Sequence, residues 1–116
     1  MSCVDLLQIS TKKDRWWVNR AAAVRDGIIG TIENDITWNR HGAYAVVITG
    51  DRETGREDFF YYDGTGVSGA VHLLNKMITS PNGVRVLREY TSGSPCAPKF
   101  GLRYDGLFVS SPVLYY

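Results

Sequence analysis

Residues 43–49, Ala-Tyr-Ala-Val-Val-Ile-Thr, make an unbroken, largely β-branched apolar run that Gly50 closes. Branched side chains lose freedom in a helix and suit a pleated strand. A strand with one wet face would alternate polar and apolar residues. This one does not, so it reads as central in a sheet covered on both sides. The rest of the chain must therefore supply neighbouring strands and covering layers. At 116 residues it has room for one small domain. Twelve glycines and four prolines, with seven tyrosines and three tryptophans, favour short strands and many turns over a helical bundle.

Around that strand the pattern is uneven. Val4, Leu6, Leu7 and Ile9 fit either a strand or a helical turn. Trp16, Trp17 and Val18 form an aromatic strand candidate, and Ala21, Ala22 and Ala23 fit helix or extended chain. Residues 27–32 are a short β-prone run between glycines, and the polar stretch 33–42 reads as a loop. A polar connection over 50–58 leads to an aromatic strand at 59–62, and Asp63, Gly64, Thr65 and Gly66 have the composition of a tight turn. Ser68 can cap a helix running to residue 79, with Val71, Leu74 and Ile78 on one face and Pro81 beyond its end. Residues 83–90 read as a strand with Val84 and Val86 inward and Arg85 and Glu89 outward. A loop over 91–100 precedes a strand at 102–109, interrupted at Tyr104, Asp105 and Gly106. The sum is a mainly β (α+β) domain, a small or incomplete barrel.

Charge is segregated along the chain. Residues 1–30 hold five basic and three acidic side chains (+2), residues 31–70 three and seven (−4), and residues 71–116 five and two (+3). Basic ends around an acidic middle could present a phosphate-binding face beside a carboxylate-lined site, though charge alone favours a mixed solvated surface. No apolar run approaches the ~18–20 residues of a membrane-spanning helix. No basic leader precedes an apolar core at the N-terminus, so secretion is not signalled. Two cysteines, Cys3 and Cys96, make no disulfide framework and suit a reducing compartment.

Catalytic signatures are absent from the sequence. It has no glycine-rich phosphate loop and no serine elbow. His41 and His72 have no partner at metal-ligand spacing, and Cys96 reads as an inert thiol. The acids at 51, 53, 57 and 58 suit solvated loop positions. The expectation is a protein that is not an enzyme and needs no cofactor or metal.

Several segments, in order, carry a more specific signal. His41-Gly42-Ala43-Tyr44-Ala45-Val46-Val47-Ile48-Thr49-Gly50, followed by Phe59-Phe60-Tyr61-Tyr62-Asp63-Gly64-Thr65-Gly66, resembles the SRA/YDG (SET- and RING-associated) domain family. That family has a strand ending in a glycine turn, an acidic loop, and an aromatic strand ending Tyr-Thr-Gly-x-Gly. Gly27-Ile28-Ile29-Gly30 is similar to its Ala-Gly-Ile-x-Gly turn, and Asn75-Lys76-Met77-Ile78 sits where it has an Asn-x-Ala-Leu helix. Val84-Arg85-Val86-Leu87-Arg88 resembles its Val-Arg-Val-Ile-Arg strand. Residues 97–108, through Tyr104-Asp105-Gly106, match the segment that names the family.

The resemblance implies a twisted, partly open β-barrel with one or two flanking helices over residues 24–116, preceded by an N-terminal strand or helix segment over 1–23. It further implies binding of double-stranded DNA with a modified cytosine, methylated or hemimethylated in CpG, by base flipping in a nuclear, chromatin setting. Histones or chromatin proteins would be met through other domains. Tyr62 then takes the place of the pocket tyrosine, open equally to a core role. Asp63 replaces a threonine and either accepts from the cytosine amino group or starts a turn. Gly50 lets backbone approach the base, and Glu53, with Asp51 behind it, is the candidate base-reading acid. Arg25, Arg40, Arg88, Lys99 and Arg103 are the candidate phosphate or groove contacts.

The sequence also departs from the family pattern. Arg52 stands where a second stacking tyrosine is expected, and only eight residues separate Gly66 from Asn75, where family members insert a basic groove-entering loop. The chain ends at Tyr116, where the family continues into another barrel strand. A reduced or truncated member is expected. The alternative is a degenerate barrel serving as a structural or protein-interaction module without methyl-specific binding.

Overall fold

The apolar run becomes β4 (Gly42–Ile48), and in the computed structural model it is sealed on both faces: Ala45, Val46, Val47 and Ile48 are all buried. The structure describes residues 3–10, 15–39, 42–50, 53–55, 58–63, 83–93 and 95–110. The other elements are β1 (Cys3–Ser10), β2 (Trp16–Trp17), α1 (Arg20–Arg25), β3 (Ile36–Asn39), β5 (Glu53–Gly55), β6 (Phe59–Asp63), β7 (Val84–Glu89) and β8 (Leu102–Ser110). The expected helix over 68–79 lies outside the described residues.

The described strands form one eight-stranded sheet in the order β3-β4-β7-β8-β1-β6-β5, with β2 beside β8. All pairs are antiparallel except β4 with β7, where Val46 lies beside Val86. The four strands expected at 43–49, 59–62, 83–90 and 102–109 all belong to this sheet.

The sheet is curved and partly open. Phe60 on β6 and Phe108 on β8 meet edge to face with centroids 5.3 Å apart, although β1 lies between their strands. In a flat sheet, strands two places apart are about 9.6 Å from each other, so these rings lean together across a concave face. That face encloses Leu6, Ile36, Val46, Ile48, Phe60, Tyr62, Val84, Val86 and Phe108. Each such side chain contributes about 1.5–3 kcal/mol by leaving water.

The convex face carries a second core. Ala45, Val47, Leu87 and Leu102 pack there against Trp17 of β2, Ala23 of α1 and Ile29. Helix α1 is short but firmly ended. The Asn19 side chain accepts from the Ala22 amide at 2.9 Å. At the other end the amides of Gly27 and Ile28 donate to the carbonyls of Val24 and Ala23, with Gly27 at φ +75°. This is a Schellman ending, which needs the left-handed conformation that glycine adopts without strain.

Four expectations change. The segment set apart at 1–23 supplies two strands of the same sheet, β1 between β6 and β8 and β2 beside β8. Residues 27–32 are not a strand, because the helix ending and the bends after it take up this stretch. The loop expected over 33–42 contains β3, which pairs with β4 through a bulge at Thr37 and Trp38. Finally, β8 is not interrupted at Tyr104-Asp105-Gly106. Asp105 is an extra residue in a bulge against β7, between the pairs Leu87↔Tyr104 and Val86↔Gly106. The bulge lets Leu102 and Tyr104 serve the convex core while Phe108 serves the concave one.

Candidate nucleic-acid interface

The residues expected to hold a base sit around β5 and β6. Strand β4 ends at Ile48, and two residues on Gly50 has a φ of +56°, a left-handed turn conformation. The Gly50 amide donates to the Thr91 carbonyl at 3.2 Å, and the Gly93 amide donates to the Gly50 carbonyl at 2.8 Å. The turn is thereby fastened to the loop after β7. Past it, β5 pairs with β6 so that Glu53 lies opposite Tyr62. On the other side of β6, Val4 lies opposite Tyr62 and Cys3 opposite Asp63. The register thus brings Glu53, Tyr62 and Asp63 together. Asp51 lies outside the described residues, as does Arg40.

Alternation along β6 decides how Tyr62 is used. Tyr61 is 43% exposed, while Phe60 and Tyr62 face the concave core and Tyr62 shows no exposed surface. The ring is a wall of the barrel interior rather than an open stacking platform.

The basic residues divide sharply. Arg88 is a correction to the expected phosphate contacts, because its side chain is sealed from solvent. Its Nη1 donates to Asp105 Oδ2 at 2.7 Å, and its guanidinium stacks 4.9 Å over the Phe60 ring. Arg103 also grips Asp105, with Nε 2.6 Å from Oδ1, and donates to the Cys96 carbonyl, leaving its side chain 29% exposed. Gln8 of β1 donates to the Asp105 backbone carbonyl at 2.6 Å. The Tyr-Asp-Gly segment therefore has a structural task here: its bulged aspartate ties β7, β8 and β1 together.

Arg20 is likewise held inside the molecule, by Asp35 at 2.8 Å and Glu89 at 3.1 Å. Burial works against its charge, but hydrogen bonds and Coulomb attraction from both carboxylates outweigh it and raise its pKa. Arg85 donates to the carbonyls of Gly27 and Ile28 and lies 5.9 Å over Tyr44. Arg25 and Lys99 remain exposed, Arg25 in a loose 3.5 Å pair with Asp26. A shallow cleft of about 220 Å³ is lined by residues including Asn34, Thr37 and Trp38, and by none of the expected base-binding residues. Among the described residues no cluster of three or more His, Cys, Asp or Glu is arranged to hold a metal, and no helix is long and apolar enough to cross a membrane.

Comparison with known proteins adds one likeness. No family model and no curated protein matches the sequence. Among solved structures, the "Modification dependent TagI restriction endonuclease" superposes with a TM-score of 0.65 at 20% sequence identity. The match covers 92% of this chain and 44% of that one, so the chain spans less than half the length of this neighbour. At that identity the likeness establishes a shared fold: a twisted, partly open β-domain that also occurs in a modification-dependent restriction endonuclease.

Proposed function

We propose that this domain binds duplex DNA carrying a modified cytosine, takes the modified base out of the stack, and reads it without catalysing a reaction. The observation that carries the reading is the β5–β6 register, which sets Glu53 opposite Tyr62 with Asp63 next along the strand. These are the positions at which the resemblance to the SRA/YDG family places the pocket. The fold shared with an enzyme named for its dependence on modification points the same way.

The chemistry required is modest. Extruding a base costs a few kcal/mol of unstacking. A carboxylate or backbone carbonyl must accept from the cytosine N4 amino group, and an apolar niche must take a 5-methyl substituent. Glu53 or Asp63 supplies the acceptor, Gly50 gives backbone access, and Tyr62 forms the inner wall. Exposed Arg25 and Lys99 are the described cations suited to phosphate, and each phosphate contact strengthens binding in a salt-dependent way. A nuclear setting with histone or chromatin partners belongs to the same proposal and rests on the resemblance alone.

The test is neutralisation of the acids. Glu53→Gln and Asp63→Asn should between them reduce binding of methylated CpG duplex about tenfold, since a hydrogen bond to a charged group is worth about 1.5–3 kcal/mol. Binding of unmodified duplex should stay as it was. If both variants retain the wild-type preference, these residues do not read the base.

A second reading, a protein-interaction module on the same scaffold, is favoured by one observation. Arg20, Arg88 and Arg103 are held by internal carboxylates rather than presented together on a surface.

A further inference from the structure

Beside the start of β8, on the side of β2 opposite Trp17, two large aromatic rings are held in water. Trp16 is 44% exposed and Phe100 is 64% exposed. Their rings stand edge to face, 5.5 Å between centroids and 85° between planes. Scattered exposed aromatics are ordinary, but this pair is fixed in place by two separate devices.

The first device is a hydrogen bond: Trp16 Nε1 donates to the Phe100 carbonyl at 2.7 Å. The second is Gly101, at φ +72°, over which the indole lies. A Cβ at that position would stand 2.5 Å from Trp16 Nε1 and 2.4 Å from the Trp17 carbonyl oxygen. Only glycine allows both the backbone turn and the close indole. The β2–β8 ladder completes the mount by pairing Trp16 with Arg103. The Tyr90 amide donates to the Gly101 carbonyl, which adds a third exposed aromatic residue at the end of β7.

The surrounding charge is positive. Lys99 precedes Phe100 and is exposed; Arg15 precedes Trp16, is also exposed, and holds its guanidinium 5.0 Å over the Trp17 ring. Asp14 comes just before Arg15 in the sequence, after Lys12 and Lys13. The acid closest in the ladder, Glu89 opposite Leu102, is engaged by Arg20 at 3.1 Å.

We propose that Trp16 and Phe100, flanked by Arg15 and Lys99, form a binding platform for single-stranded DNA, with bases stacking on the rings and phosphates meeting the cations. Rigid exposed aromatics between cations have the two features such a strand needs, since each base offers a π-face and each linkage a charge. Duplex DNA suits the surface less, because its base faces are already stacked on one another. The exposed cations also distinguish the patch from the charge-depleted centre of a protein–protein contact. This inference does not depend on how β5 and β6 are used.

The experiment is fluorescence anisotropy of a labelled oligothymidylate titrated with the whole chain at low salt, with a modified-cytosine duplex titrated in parallel. Wild type should bind the oligothymidylate. Trp16→Ala and Phe100→Ala should each weaken that binding about tenfold, in keeping with the loss of one stacked base. Lys99→Ala should make the salt dependence shallower by about 0.7 in the log–log slope, the share of one phosphate contact on a single strand. Duplex binding should not change in Trp16→Ala or Phe100→Ala. Phe100 is exposed enough to be truncated without opening the core, and an unchanged circular dichroism melt verifies that its variant folds. Failure of wild type to bind oligothymidylate, or full retention of binding by Phe100→Ala, overturns the proposal. So does loss of self-association in sedimentation by the aromatic variants with oligothymidylate binding intact, which would make the surface a protein contact. Because the duplex is followed separately, its outcome tests the base-reading proposal and not this one.

Discussion

Arg88 and Asp105 meet at 2.7 Å inside the curved sheet, with 0% and 3% of their side chains exposed. A buried ion pair adds little net stability when complete, because desolvation offsets attraction. Removing one partner is costly, about 3–5 kcal/mol, since it strands the other charge. Arg88→Met and Asp105→Asn should therefore each lower the urea midpoint severely. The double variant should lose less than the sum of the two. Additive losses in that cycle would show that the two residues do not depend on each other.

Tyr62 should behave as a core residue even though it borders the proposed pocket. Tyr62→Ala removes a fully buried ring, and large-to-small aromatic changes in cores cost about 3–5 kcal/mol. Against a total stability of about 5–15 kcal/mol, the variant should be close to unfolding at room temperature. Tyr62→Phe keeps the packing volume and should remain folded. Denaturant titration reads both. A Tyr62→Ala protein as stable as wild type would place the ring outside the core.

Gly101→Ala tests the mount beneath Trp16. A non-glycine residue in the left-handed region costs about 1–3 kcal/mol, and the added Cβ would also collide with the indole and the Trp17 carbonyl. The expected result is a lower thermal midpoint with a shifted tryptophan emission. No change in either would contradict the geometry.

Acid should release Trp17. Its Nε1 donates to Asp26 Oδ2 at 2.9 Å, and this hydrogen bond, aided by Arg25 and Arg15, holds the Asp26 carboxyl below its ordinary value of 3.8. A depressed folded-state pKa means the contribution is complete above the unfolded pKa and is lost as pH falls through the folded one. Trp17 emission should therefore be flat at neutral pH and change below about pH 3.8, the ordinary carboxyl value. Asp26→Asn should abolish that step. A step that persists in the variant belongs to another group.

What the sequence made legible follows from how locally each feature is encoded. Strands β4 and β7 were readable because their apolar residues sit next to one another or alternate. Strand β3 was missed because four residues in a polar stretch, with a bulge, carry too little pattern. Helix α1 was left open, although Asn19 before the alanines and Gly27 after Asp26 are a capping pair that marks both ends. Arg88 carried its own signal: four residues beyond Val84 and two beyond Val86 on one strand, it shares their inward face. Its partner was hidden, since Asp105 lies on another strand, 17 residues on, in a bulge that breaks the alternation of β8. The grouping of Glu53, Tyr62 and Asp63 rests on the resemblance, since the pairing of Glu53 with Tyr62 joins residues on two strands that no local pattern links. The Trp16–Phe100 pair was not legible, because it joins residues 84 positions apart.

Whether the domain distinguishes modified from unmodified DNA, as proposed, is read from a binding titration with duplexes that differ only at one CpG cytosine. Unmodified, hemimethylated and fully methylated versions should be compared at one fixed salt concentration, because phosphate contacts make affinity depend on salt. A methylated duplex should bind about tenfold more tightly than the unmodified one, a difference of about 1.4 kcal/mol. Equal affinity for all three duplexes, or no binding to any, would contradict it.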